Sequence, residues 1–470
     1  IGDAALLNPI LATDSASSDI NGLVFNGLVK YDKDLKLVGD LAKSWTVSNG
    51  GKTIAFDLRD NVTWHDGRPF TSDDVLFTYH MLIATNTRTA YGADYLLVQK
   101  AEAPDPGTFR VHYKEPFSPA LESWGMGIIP KHVYEKEDIN FHPANRRPIG
   151  TGPFKFKSFE KDVALKVERN DDYWQEGLPY LDEIHTLIVK DETTRQMALQ
   201  TGEGDVSVLE AAKFLNDMEA IGFTVLSEYG GTDFIMFDTA NEGSIYNDAR
   251  IRKAIEHAID KETIAEALGY GYYAANNQMP PPTNPSYNPD VPKREYNVDK
   301  ALELMAEAGY PDGFAANMIT IGTSPTAQII QESLKAINIE VAIDSVDNAK
   351  FWDYMLTGWE NSMVYVGYAV GINYPAWLKM YFPPTGVLDV SVKLPDEILE
   401  KIGPALSEQD PAKAKVLSDE LLQLTWESAI FIPLYSNALG NVFSPKVHDT
   451  GHFQYSDFSI WDPELAWIEK

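Results

Sequence analysis

Helix-period and strand-period patterns alternate along this chain, and that alternation confines it to a mixed α/β fold. Thr53-Ile54-Ala55-Phe56-Asp57-Leu58-Arg59 alternates apolar with polar side chains, the two-residue period of a strand. Asn49-Gly50-Gly51 before it is turn chemistry, so the strand is entered from a hairpin. Thr71-Ser72-Asp73-Asp74 then sets Thr and Asp at capping-box spacing ahead of Val75-Leu76-Phe77, which predicts a helix ending near Ala84. Asn247-Asp248-Ala249-Arg250 caps a helix whose stripe is Ile251, Ala254, Ile255, Ala258 and Ile259, and Asp260 starts the next through Ile264 and Leu268. Asn297 caps a further helix with Ala301, Leu302 and Met305 inward and Gly309 just past its end. Pro325 to Ile343 reads as helix then strand, and Asp410-Pro411 leads a long helix to about Ser428.

A length of 470 residues at roughly 150 per domain gives about three folding units. No stretch approaches the 18 or so consecutive apolar residues of a membrane span. Ile1-Gly2-Asp3-Ala4 has no basic region followed by an apolar core, and a mature exported protein begins without one too. A net charge of −30 disfavours nucleic acid and anionic membrane as partners, since both require basic patches. The absence of cysteine excludes disulfides, thiolate metal sites and cysteine nucleophiles.

The remaining motifs argue against catalysis. His65-Asp66-Gly67 lacks the second group that acid–base work needs and the three or four ligands a metal needs, so it reads as a turn. Gly150-Thr151-Gly152 lacks the spacing of a dinucleotide loop, and Asp73-Asp74 sits where carboxylates favour a helix N-terminus. No GxSxG elbow or phosphate loop is present. We expect no enzyme activity, no metal and no cofactor. Proline and glycine cluster at Arg147-Pro148-Ile149-Gly150-Thr151-Gly152-Pro153 and at Gly230-Gly231, both candidate crossings between lobes with the first the stronger, and at Met279 to Pro285, which reads as a surface loop. Tyr365 to Trp377 combines aromatics, Gly367, Gly371 and the amide of Asn373. Aromatic faces and glycines suit a small-ligand site and suit a buried strand and turn equally well.

Several blocks together resemble the family 5 extracellular solute-binding proteins, the oligopeptide, dipeptide and nickel group of ABC importers. Leu41-Ala42-Lys43-Ser44-Trp45, Phe56-Asp57-Leu58-Arg59, Val62-Thr63-Trp64-His65-Asp66-Gly67 and Pro69 to Val75 are similar to its N-terminal signature. Gly150 to Phe154, Arg169 to Trp174 and Gly202-Glu203-Gly204-Asp205 resemble its central blocks, and Arg250 to Ala254, Ala258-Ile259-Asp260 and Glu307 to Tyr310 its third region. The blocks stand in family order.

The resemblance implies a two-lobed periplasmic-binding-protein fold with an additional subdomain and a hinge between lobes. Lobe I would use 1–37, 150–237 and 436–470, the subdomain 38–149 and lobe II 238–435. It implies capture of an extracellular solute, peptide-like first, in an interlobe cleft, with delivery to ABC-importer permease subunits. The alternatives are an oligosaccharide, a metal chelate, a small aromatic or anionic solute, or a non-transport interaction protein such as a chaperone. The protein would act as a monomer, periplasmic or extracellular, with lipid anchoring left open. The segment carrying Tyr365, Gly367, Tyr368, Gly371, Asn373, Tyr374 and Trp377 would line the cleft, joined by Ser15, Ala16 and Ser17 of an N-terminal loop, Trp124, Arg147, Tyr229 and Trp359. Peptide-binding members place an Asp about four residues before the Pro of that segment, where it pairs with the ligand ammonium. Aligning on Pro375 puts Gly371 there, and no acid occurs between Asn361 and Pro375.

Overall fold

The computed structural model describes residues 6–32, 36–116, 120–384, 386, 388–408, 410–455 and 458–469. The chain packs into two compact units, one of Ile1–Ser207 with Phe443–Phe453 and Ile460–Lys470, the other of Val208–Val442 with Gln454–Ser459.

In the first unit the Asn49–Gly51 turn joins Ala42–Ser48 to Thr53–Leu58, as its glycines predict. These strands continue through Thr108–Tyr113 to Val98–Asp105 as a four-stranded antiparallel sheet. The helix Ser72–Ile83 packs on that sheet, burying Val75, Tyr79 and Leu82. Both halves of its capping box form, and Asp74 also accepts from the Lys131 amide at 3.0 Å and the Trp64 indole at 3.4 Å. A second sheet follows, Phe154–Glu160, Ala164–Arg169 and Glu183–Leu187. One apolar core runs from Leu7 through Phe56, Phe109 and Trp124 to Val167, so the sheet within 38–149 shares its core with segments on either side of it.

The second unit is built on a seven-stranded mixed sheet in which Phe431–Phe443, Thr224–Phe237, Ser362–Tyr368, Phe314–Ile321 and Ile339–Val346 follow one another. Thr224–Phe237 runs antiparallel to Ser362–Tyr368, and the next two pairings are parallel. Both faces are covered. Phe234, Met236, Val364 and Val366 enter one apolar cluster, while Ile235, Phe237, Met363 and Tyr365 enter the other. This is why Phe234-Ile235-Met236-Phe237 is a continuous apolar run instead of an alternating one. The helices Ala249–His257, Lys261–Gly269, Val298–Glu307 and Pro411–Ser428 begin at the caps read from the sequence, Asp248, Asp260, Asn297 and Asp410, and Pro325–Leu334 is capped by Ser324. Gly309 takes the left-handed conformation that ends its helix, with φ of 90°.

The packing division falls at 207/208 and 442/443, whereas the expected lobe boundaries fall at 237/238 and 435/436. The difference is residues 208–237, which hold the helix Ala212–Ala220 and the strand Thr224–Phe237, and residues 436–442 at the end of the strand Phe431–Phe443. Thr224–Phe237 and Phe431–Phe443 are 14 and 13 residues long and are neighbouring strands of the second unit's sheet.

Candidate functional site

The strand Ser362–Tyr368 lies inside the second unit's sheet, and its period sends Tyr365 and Tyr368 to opposite faces. On one face the Tyr365 hydroxyl donates to Oδ2 of Asp233, which stands on the neighbouring strand directly opposite Gly367. The Tyr435 hydroxyl reaches the same oxygen at 2.9 Å, and the Asn437 amide donates to Oδ1 at 2.6 Å. Behind them Thr326 Oγ1 lies 2.8 Å from the Tyr435 hydroxyl. Tyr365, Tyr435 and Thr326 are buried, Asp233 and Asn437 are half-buried, and Gly367 is exposed. Burial raises the Asp233 carboxyl above its ordinary value, and Tyr365, Asn437 and Tyr435 oppose that rise by hydrogen bonding to the charged form.

Asp233 is missing from the sequence-based candidates. It follows Gly230-Gly231 within a strand, and nothing local distinguishes it from a solvated aspartate. The signal is its register against Gly367, a pairing of residues 132 and more positions apart in sequence that only the sheet supplies.

On the opposite face the Tyr368 hydroxyl donates to Asp389 at 3.0 Å, and the second carboxylate oxygen of Asp389 has no partner among the described residues. Burial lifts this carboxyl to about 7, only partly offset by Tyr368. In the unfolded chain its value is about 3.9, so between about pH 4 and 7 the folded state holds a proton that the unfolded state has released. Stability from this group is full below that window and is lost as pH rises through it. Asp389→Asn keeps an acceptor for Tyr368 and suits the left-handed backbone at φ 49°. The variant is expected to melt several degrees higher than the parent at pH 8 and to show a flatter stability profile from pH 4 to 7. Identical melting temperatures at pH 8 would contradict this assignment.

Beyond the strand, Gly371 has φ of 67° and its carbonyl accepts from Asn284 at 2.6 Å, so a side chain there would be strained. Asn373 is exposed and caps the helix Tyr374–Tyr381 by accepting from Ala376 at 3.0 Å. Tyr374 and Trp377 are buried in the apolar cluster with Phe382 and Phe431, and Trp359 is buried beside Ser391. Tyr229 is half-buried on the strand Thr224–Phe237.

In the first unit, Ser15, Ala16 and Ser17 form the first turn of the helix Ser15–Val24 and not a loop. Asp14 caps it, accepting from the Ser17 amide and hydroxyl at 2.8 Å each, and Ala16 and Ser17 are buried. Trp124 is 1% exposed, with its indole on the Tyr113 hydroxyl at 3.0 Å and its ring against Phe109. Its packing accounts for its presence. Arg147 is exposed at the end of the short helix Pro143–Arg146. His65 is clamped between the Gly150 amide at 3.2 Å and the Gly152 carbonyl at 3.0 Å, and burial lowers it to about 4, so the ring is neutral and ties a turn in place. Among the described residues no three His, Asp or Glu converge as metal ligands, and no helix is long and apolar enough to cross a membrane.

The profile of bacterial extracellular solute-binding proteins, family 5 (middle), matches residues 36–389. The chain belongs to that family. Among relatives of this family 5 protein, the oligopeptide-binding protein AppA of Bacillus subtilis is 29% identical over 423 residues, covering 81% of this chain and 77% of AppA. The glutathione-binding protein GsiB of Salmonella paratyphi A is 27% identical over 489 residues, covering 98% and 92%. In fold, the family 5 chain is similar to the ABC transporter substrate-binding protein CtaP of Listeria monocytogenes, with a TM-score of 0.88 at 22% identity over 99% of this chain and 97% of that one. It is a binding protein by family and not an enzyme.

Proposed function

We propose that this family 5 protein captures a peptide-like solute outside the cytoplasm and delivers it to the membrane permease subunits of an ABC importer. The family match over residues 36–389 carries the reading. Support comes from relatives named for an oligopeptide and for glutathione, which is itself a peptide. The half-buried end of the sheet adds to it, since Asp233 and Asn437 beside the exposed Gly367, with Tyr229 farther along the same strand, offer an acceptor, an amide and an aromatic face to a peptide backbone. Of the expected contacts we keep Tyr229, Gly367, Gly371 and Asn373 of the second unit as facing the solute, with Tyr365 buried behind them, and Ser15 and Arg147 as candidate contacts on the first unit. The buried rings of Trp124, Trp359, Tyr368, Tyr374 and Trp377 hold the walls behind. We also keep 38–149 as a subdomain added to the first lobe, and a monomer, periplasmic or extracellular, as the working form.

A solute that binds only the folded state at a hundredfold excess over its Kd adds about 2.7 kcal/mol of stability. Pooled tri- to pentapeptides are therefore expected to raise the unfolding temperature by several degrees, while pooled oligosaccharides and metal chelates leave it in place. A shift with sugars or chelates and none with peptides would replace the peptide reading.

A further inference from the structure

We propose that Asn284 and Ser286 are positioning residues of the solute site, and that the proline-rich loop carrying them sets the turn Gly371–Asn373 against which the solute is held. The proposal rests on the solute-binding reading above and assigns a role to residues outside the Tyr365–Trp377 segment.

Three observations carry it. The first is the way the turn is tied. Asn284 Nδ2 donates to the Gly371 carbonyl at 2.6 Å, and Ser286 Oγ donates to the Ile372 carbonyl at 3.0 Å. The same Ser286 oxygen accepts from the Tyr374 amide at 3.1 Å. Three consecutive peptide units are thus held by two side chains that stand 86 to 88 positions earlier in the chain. Asn284 and Ser286 are buried, whereas Ile372 and Asn373 are exposed. In a trans peptide the carbonyl and the N–H point in opposite directions. Drawing the carbonyls of 371 and 372 toward the loop therefore turns the N–H groups of Ile372 and Asn373 away from it, and neither has a hydrogen-bond partner among the described residues.

The second observation is that the loop is built to hold still. Pro280, Pro281, Pro282 and Pro285 fix φ at four of the six positions from 280 to 285. Gln278 and Asn288 close its base reciprocally, the Gln278 amide on the Asn288 carbonyl at 2.8 Å and the Asn288 amide on Gln278 Oε1 at 3.0 Å. The Ser286 amide donates to Asn284 Oδ1 at 2.8 Å, which fixes the side chain whose other end meets Gly371. A turn held rigidly before the solute arrives lowers the ordering cost of binding. The third observation is where the loop's outer side lies. Thr283 stands beside the Glu228 carboxyl and Tyr287 beside Tyr229, at the start of the strand Thr224–Phe237. One rigid loop therefore reaches both Tyr229 and Gly371, two of the positions kept as facing the solute.

The test measures affinity and stability separately on the full chain, for the parent, Asn284→Asp, Ser286→Ala and Gln331→Ala. Asn284→Asp keeps the shape of the side chain and removes its donor to Gly371, and Ser286→Ala removes the hydroxyl. Gln331→Ala is the control. Its side chain donates to the Val341 carbonyl at 2.7 Å on the edge strand Ile339–Val346, a bond of the same kind away from the turn. Calorimetry with pooled tripeptides, neutral oligosaccharides and anionic metal chelates gives the dissociation constants, at a temperature where circular dichroism shows each variant folded. Asn284→Asp and Ser286→Ala are expected to weaken the probe that the parent binds by about 10-fold or more, and Gln331→Ala by less than about twofold, even where all three lower the melting temperature alike. Should Asn284→Asp not fold, Ser286→Ala decides alone. Loss of stability at 284 and 286 with parent affinity retained would reduce both residues to bracing the fold and overturn the proposal, leaving the peptide reading intact. Weakened sugar or chelate binding, in a parent that binds no peptide, would support the positioning role and overturn the peptide reading. An equal loss of affinity in Gln331→Ala, or no binding of any probe by the parent, would overturn the proposal.

Discussion

Glu256→Ala is expected to destabilise the protein by about 3–5 kcal/mol, because it strands two cations in the interior of the second unit. Glu256 is buried at 1% exposure, accepting from Lys261 at 2.7 Å through one oxygen and from Arg294 through the other. The side chains of Lys261 and Arg294 are each only 7% exposed. Burial alone would raise the Glu256 carboxyl, but the two cations overcome it and hold it below its ordinary value. Arg294 also lies over the Trp426 ring at 4.6 Å and donates to the Trp426 carbonyl at 3.1 Å. The triad therefore joins Ala249–His257 and Lys261–Gly269 to the long helix Pro411–Ser428. Glu256→Gln preserves shape but not charge and is expected to be nearly as damaging. The check is the denaturant midpoint of each variant, and a shift worth less than about 1 kcal/mol would show the pair to be solvated.

Gly150→Ala is expected to be among the most damaging single-methyl changes in the first unit, costing about 3 kcal/mol or more. An added Cβ would stand 1.8 Å from the Val24 carbonyl oxygen and 2.6 Å from its carbon. Both are backbone atoms at the end of the helix Ser15–Val24, so nothing flexible can yield. The Gly152 amide donates to that same Val24 oxygen at 2.8 Å, satisfying one of the carbonyls a helix end leaves unpaired. A Cβ on Gly152 would lie 2.6 Å from the Leu23 oxygen. Substitution at 150 should thus loosen the helix and the His65 clamp together. Comparing thermal unfolding of Gly150→Ala with that of Gly67→Ala separates packing from backbone conformation. Gly67 meets no atom within 4 Å and has φ of 85°, so its cost is conformational alone and should be the smaller.

The glycines of Gly150-Thr151-Gly152 show what was readable in the sequence and what was not. Their spacing was enough to reject a dinucleotide loop and to mark a break, yet their purpose, admitting a helix end from residue 24, depends on packing over more than a hundred positions. Helix starts were legible because a cap acts over three or four residues: Asp248, Asp260, Asn297 and Asp410 all sit where their side chains signalled. The same rule had an unread instance at Asp14, whose cap turns Ser15, Ala16 and Ser17 into a helical turn. Aromatic residues were the weakest guide. Tyr365, Tyr374 and Trp377 have the same composition signal, yet one hydrogen-bonds the half-buried Asp233 while the other two fill a core. Asp233 itself could not be found from its neighbours, since its partners Tyr365, Tyr435 and Asn437 come from two other strands.

The most direct test of solute capture without chemistry is native mass spectrometry of the purified protein incubated with pooled tri- to pentapeptides and then gently unfolded. A one-to-one complex is expected, with the bound peptide released at its original mass after any length of incubation. Release of shortened peptides, or the protein remaining at its own mass throughout the pool, would contradict capture of a peptide by a binding protein.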